Sequence, residues 1–423
     1  MYKVARISAF AVIIVLFSRI SINGQLPLEK IPENIGMSTE RLERINYFIE
    51  DFVNQNKLAG VVALIARHGK IVYRNNFGLM DIETNSPIEC NTIFRLASMS
   101  KPIISVGAMI LYEKGFFQLD DPVSKYIPEF KNLKVLSGKE NKIPIREMTI
   151  QDLLRHTSGL SYGFDNNYVD SLYRVLNVED EKNTLKEMIK KLAQVPLLNE
   201  PGEKWNYSFS TDVLGYLIEV ISDKSLDEFL SENIFNPLKM EDTGFFIPKT
   251  KLSRLMTLYQ LSKDGRLIPV KNENKLKYSK KPNFLSGGGG LLSTPFDYLL
   301  FSQMLLNKGE LNGTRILSPK TVELMCMNHV PDVAMPISMN FPPLEFLLKG
   351  HGFGLGFRVL TNKTESGSLA NVGAFGWFGA YDTYFYIDPK EELIGILMTQ
   401  YQGLPYYPLV REFQVLMYQA IIN

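Results

Sequence analysis

GVVALIARHGKIVYRNNFG, residues Gly60 to Gly78, holds two β-rich runs on either side of His68-Gly69-Lys70. Branched and aromatic residues dominate both runs and a glycine sits between them, so the stretch predicts a β-hairpin. A second strand signal lies near the other end of the chain. There Asp382 to Ile387 (DTYFYI) and Leu393 to Thr399 (LIGILMT) predict two strands joined by Asp388-Pro389-Lys390-Glu391-Glu392. Between the two ends, Ser98 to Lys114, Ile150 to His156, Thr184 to Ala193 and Thr211 to Ser222 read as helices among long polar loops. Ser38 to Asn56 forms an amphipathic helix signal before the hairpin, with Leu42, Ile45, Phe48, Ile49 and Phe52 at helical spacing. A last helix is expected from about Tyr407 to Ile422. The pattern predicts an α/β fold: one antiparallel sheet built from both chain ends and flanked by helices, with a mainly helical inserted subdomain. The expected sheet part is residues 25–97 and 345–423 and the helical part 98–344, with a cleft at their seam.

Composition narrows the function. The 423 residues carry 46 basic and 45 acidic side chains, a net of +1, so no basic field exists to bind nucleic acid. Cys90 and Cys326 are the two cysteines, which excludes a disulfide scaffold and any cysteine-based zinc cluster. His68, His156, His329 and His351 are not spaced as HExxH chemistry needs, so neither a metal nor a cofactor is implied. Gly287 to Gly290 marks a tight backbone passage rather than a phosphate loop, because no GK[ST] follows. At the N-terminus, Lys3 and Arg6 precede an apolar run from Ile7 to Phe17. That run is too short to span a bilayer and reads as a signal peptide over residues 1–24, with cleavage near Gly24. The mature chain is then expected outside the cytoplasmic membrane, secreted or periplasmic, with no membrane span.

The chemistry centres on Ser98-Met99-Ser100-Lys101 at a helix start. Residues three apart on a helix share a face, so the serine hydroxyl and the lysine amine meet. A serine needs a base to become a nucleophile, and a desolvated lysine can serve. Backbone N–H groups at the helix start would face a developing oxyanion. On its own S-x-x-K is as well explained by an ordinary helix cap. Gly159-Leu160-Ser161-Tyr162-Gly163 also matches the nucleophile elbow G-x-S-x-G, but a helix signal precedes it where that elbow needs a strand.

FRLASMSKPI, LDDPVSKYIPEF, LLRHTSGLSYGF, PGEKWNYS, GGGGLLSTPFDY and FGWFGAYDTYFYIDP occur in this order. Together they resemble the serine β-lactamase-related superfamily, which includes class C β-lactamases, DD-peptidases and β-lactamase-like carboxylesterases. The resemblance runs from about Ser38 to the C-terminus and implies a β-lactamase-like fold. It also implies that Ser98 is the acylated nucleophile, Lys101 its proton partner and Tyr207 the general base or leaving-group acid. Phe209 stands where the family often has asparagine. Trp377-Phe378-Gly379 stands where the family has K-T-G, H-x-G or W-G-G, with Trp377 and Gly379 expected on one strand face and Phe378 on the other. Trp377, Phe378, Gly379 and Phe209 are therefore expected to contact substrate, and the amides of Ser98 and Ala380 to form the oxyanion hole. Loss of the K-T-G cation favours a carboxylesterase acting on small neutral esters. Alternatives are a cell-wall DD-peptidase, a β-lactamase, an acyltransferase to a hydroxyl acceptor, or a non-catalytic recognition protein. The expected partner is a small-molecule ester, amide or peptide, and the oligomeric state is left open.

Overall fold

The computed structural model describes residues 26–138, 140–271, 273–330, 347–403 and 407–423. The expected signal segment and nearly all of the loop from Asp332 lie outside them. The hairpin forms as β1 (Gly60–Arg67) and β2 (Lys70–Asp81), turning through His68 at φ 50° and Gly69 at φ 71°. Two successive left-handed residues match the right-handed twist of paired strands. After a short β3 (Ser86–Pro87), the sheet is completed by β4 (His351–Phe353), β5 (Arg358–Leu360), β6 (Phe375–Gly379), β7 (Thr383–Asp388) and β8 (Leu393–Met398). The order in this eight-stranded sheet is β4-β5-β6-β7-β8-β1-β2-β3, and the pairs are antiparallel. The two chain ends meet in the middle, where Val62 opposes Met398 and Arg67 opposes Leu393.

Strands β1, β7 and β8 are buried at every position, which needs cover on both faces. Helix α1 (Thr39–Asn54) lies over one face, capped by the Ser38 hydroxyl and burying Leu42, Ile45, Ile49 and Phe52. Helix α2 (Ser100–Glu113) follows a 3-10 turn at Ala97–Met99, with Pro102 in its first turn. It packs against α3 (Ser210–Ser222). Helix α4 (Pro295–Leu306) packs on β8, β7 and β1. Helix α5 (Tyr407–Gln419) lies beside α1 on the first face. The apolar character of α4 runs all the way round, so it needs the sheet on one side and α2-bearing structure on the other. Among the described residues no helix is long and apolar enough to cross a membrane.

Candidate active site

Ser98 lies in the tight turn that opens α2, and four segments fix that turn. Arg95 N–H donates to the Gln400 side chain at 3.0 Å, and Leu96 N–H donates to the Leu291 carbonyl at 2.9 Å. The Thr383 hydroxyl donates to the Leu96 carbonyl at 2.9 Å. The buried Arg95 guanidinium bonds Glu273 and Tyr278, each at 2.9 Å. Ala97 adopts φ 45°, a left-handed conformation that costs a non-glycine residue of order 1 kcal/mol and persists only where its surroundings impose it.

Lys101 is buried at 1% exposure. Its Nζ donates to Ser98 Oγ at 3.2 Å and to the Gly288 carbonyl at 2.6 Å. The same ammonium lies 4.6 Å from the Tyr207 ring centre and 5.2 Å from that of Tyr162. Tyr207, distant in sequence from Ser98 and Lys101, is thus brought to the same floor. Behind Tyr207, Trp377 Nε1 donates to the phenol oxygen at 3.4 Å, and His156 packs against the ring at 5.0 Å. Burial, aided by Lys101, pushes the His156 imidazole well below its usual range, so it is neutral. Its Nδ1 lies 3.3 Å from the Ser208 hydroxyl, a loop-bracing role.

The floor opens into a cleft of about 1190 Å³ walled by Tyr162, Phe164, Trp205, Tyr278, Phe284 and Phe378 among others. Gly379 and Ala380 line it beside Ser98. Gly379 must be glycine, since a Cβ there would lie 2.1 Å from the Leu96 carbonyl oxygen. That absence of a side chain lets β6 lie against the nucleophile's turn.

Two expected substrate contacts sit elsewhere. Trp377 is fully buried and does not line the cleft. Its ring stacks on Phe378 at 4.7 Å, so the two do not point to opposite sides of β6. Phe209 is also buried, 4.6 Å from the Tyr162 ring and stacked 5.8 Å from Tyr173. Both residues pack behind rings that line the cleft, Phe378 and Tyr207 for Trp377 and Tyr162 for Phe209. Arg358, on the strand beside β6, is buried under Phe378 and donates to the Leu347 carbonyl. Ser161 is buried in the cleft wall after a helix (Ile150–Leu154), without the strand that a nucleophile elbow requires. Tyr162 and Asp212 were not assigned roles from sequence. Tyr162 stands in the motif LLRHTSGLSYGF, whereas Asp212 carries no local signal of a role.

A serine in the turn that opens α2, with a buried lysine beside it and strand β6 of an antiparallel sheet against it, is the arrangement that the β-lactamase-like resemblance implies. The comparisons agree. The Beta-lactamase family profile matches residues 45–416, and the chain belongs to that family as a serine hydrolase. Protein Rv1367c of Mycobacterium tuberculosis is 33% identical over 362 residues, covering 84% of this chain and 88% of that protein. Esterase EstB of Burkholderia gladioli is 29% identical, covering 85% of this chain and 91% of that protein. Among solved structures, EstCE1, described as a hydrolase with promiscuous acyltransferase activity, superposes with a TM-score of 0.79 at 26% identity. That match covers 90% of this chain and 99% of EstCE1.

Proposed function

We propose that this protein is an exported carboxylesterase that works through an acyl-enzyme on Ser98. The observation that carries the reading is the buried Lys101 amine 3.2 Å from Ser98 Oγ at the floor of an aromatic cleft. Ser98 Oγ bonds to the ester carbonyl carbon and its proton passes through Lys101 and Tyr207 to the leaving alkoxide, whose bond to carbon breaks. The Ser98 and Ala380 amides hold the oxyanion. Water or an alcohol then attacks the acyl carbon, gives up its proton by the same route and frees Ser98. The relatives named esterase and hydrolase support the chemistry, and the N-terminal sequence supports export. The cleft exceeds the roughly 300–1,000 Å³ of ordinary ligand pockets, so neutral esters with a bulky apolar part fit as well as small ones.

A β-lactam or another carboxylate-bearing substrate is the competing reading. Arg95, Lys277 and Lys281 each face a carboxylate already, but Lys204 and Lys280 line the cleft without an ion pair among the described residues. Fluorophosphonate labelling with mass spectrometry is expected to modify Ser98, and Ser98→Ala to abolish ester turnover while Ser161→Ala retains it. An inactive Ser161→Ala beside an active Ser98→Ala would overturn the reading. A chromogenic cephalosporin is expected to be turned over far more slowly than a neutral aryl ester; equal kcat/KM would favour the carboxylate-bearing class.

A further inference from the structure

Asp212 lies in the first turn of α3, near Tyr207 in sequence, and is fully buried. Its Oδ1 accepts from the Gly288 N–H at 3.0 Å and from the Ser286 hydroxyl at 2.7 Å. The carbonyl of the same Gly288 accepts from the Lys101 ammonium. A continuous chain therefore runs from the carboxylate through the backbone of one residue, Gly288, to the amine that touches Ser98. The other oxygen, Oδ2, meets no donor among the described residues. It lies close over Gly288, where a Cβ would be 2.4 Å from Oδ2 and 2.6 Å from the Tyr162 hydroxyl. A side chain at 288 would push this arrangement apart.

A buried ammonium is costly unless an opposite charge stands near it. Ser98 and the Gly288 carbonyl, the groups Lys101 bonds, are both neutral. Burial pushes the Asp212 carboxyl up, and Lys101 is the first influence that pulls it back. Glu179, on the cleft wall, feels Lys101 as well, but burial and Asp212 raise it to about 7. Burial pushes the Tyr162 phenol well above its usual range and the His156 imidazole well below its own, so neither supplies negative charge near neutral pH.

We propose that Asp212 is a positioning residue of this site: it clamps Gly288, the residue whose carbonyl holds Lys101, and supplies the buried negative charge that balances the lysine. This rests on Ser98 and Lys101 being the catalytic pair. It goes further in naming what orients the lysine. Asp212→Asn keeps an oxygen for both donors and removes the charge. With a neutral aryl ester, kcat is expected to fall about tenfold or more, as misplaced catalytic groups cause, while KM stays nearly constant. The acid limb of kcat/KM is expected to move to lower pH, because a buried carboxylate beside the site is gone. Ser286→Ala, which weakens the carboxylate without removing it, is expected to shift the same limb in the same direction by less.

An Asp212→Asn profile that superimposes on wild type, or activity lost only in step with thermal stability, would overturn the proposal. Should Asp212→Asn not fold, Ser286→Ala decides, and an unmoved acid limb overturns it. Wild-type protein that is not labelled at Ser98 would instead remove the catalytic reading itself, an outcome separate from any effect at Asp212.

Discussion

Gly379 and Trp377 show how single positions near β6 set the reaction's geometry. The carbonyl a Cβ at 379 would strike belongs to Leu96, two residues before Ser98. Gly379→Ala must therefore shift the nucleophile or the strand, and a displacement of about 1 Å is enough to cost roughly a hundredfold in rate. We expect kcat/KM for a neutral ester to fall by about that factor while the thermal midpoint changes by only a few degrees. Trp377→Phe removes one N–H that reaches the Tyr207 oxygen at 3.4 Å. A hydrogen bond of that length sits at the weak end of about 0.5–1.5 kcal/mol, so kcat is expected to fall tenfold or less with KM unchanged. A fall confined to KM would instead place Trp377 against substrate. The pairing of Ser98 with Lys101 was legible because helix periodicity alone brings residues three apart together. Trp377 was misread because two-residue alternation assumes that a strand shows one face to the cleft. All of β6 is buried, so facing the cleft depends on layers that no local pattern records.

Helix α4 shows what one element can and cannot announce. Thr294 caps its start, accepting from Asp297 N–H at 3.2 Å. The Asp297 side chain, however, turns away to accept from Asp242 N–H at 2.7 Å and from the Thr243 hydroxyl at 2.9 Å. Burial raises its carboxyl from 3.8 to about 6. Between those values the folded chain holds a proton that the unfolded chain has lost, so this group's contribution to stability falls as pH rises through the window. Above it the contribution is flat. Asp297→Asn is expected to remove that downward limb, and urea unfolding of both proteins from pH 4 to 7 would test it. Two parallel stability curves would show that Asp297 is not its source. Helix ends were legible where caps are chemical, as at Ser38 and Thr184. They were less so at Ile150 to His156, where the helix stops at Leu154 and His156 takes φ 59°. A histidine in a left-handed turn is held there by its burial against Trp205, Tyr207 and Phe353, contacts that lie far along the chain.

At the scale of the whole molecule, the sheet made from both chain ends was legible because strand composition is strong in both places. The layer that α4 joins was not. A helix that is apolar all round does not say from its own sequence which neighbour covers it, and α4 chose the sheet. The cleft between these parts sets the last expectation. With about 1190 Å³ available, esters carrying a bulky apolar acyl or alcohol group are expected to show higher kcat/KM than acetate esters of small alcohols. Added primary alcohols are expected to divert part of the acyl product from acid to new ester, as measured by product ratios. Rates that fall steadily with substrate size would mean that the cleft does not admit these groups in solution.

The tethers around Ser98 also have a consequence in time. The Leu96 carbonyl waits for Thr383, 287 residues later, and the Arg95 amide for Gln400, 305 residues later. At about 5–20 residues per second, a ribosome delivers those partners roughly 15–60 s after the nucleophile has been made. Throughout that interval the growing chain carries its serine and lysine but not the strand edge that aligns them. Chains abandoned by the ribosome before β6 is made should therefore not react with acyl donors, and the enzyme should stay silent until its synthesis is nearly finished.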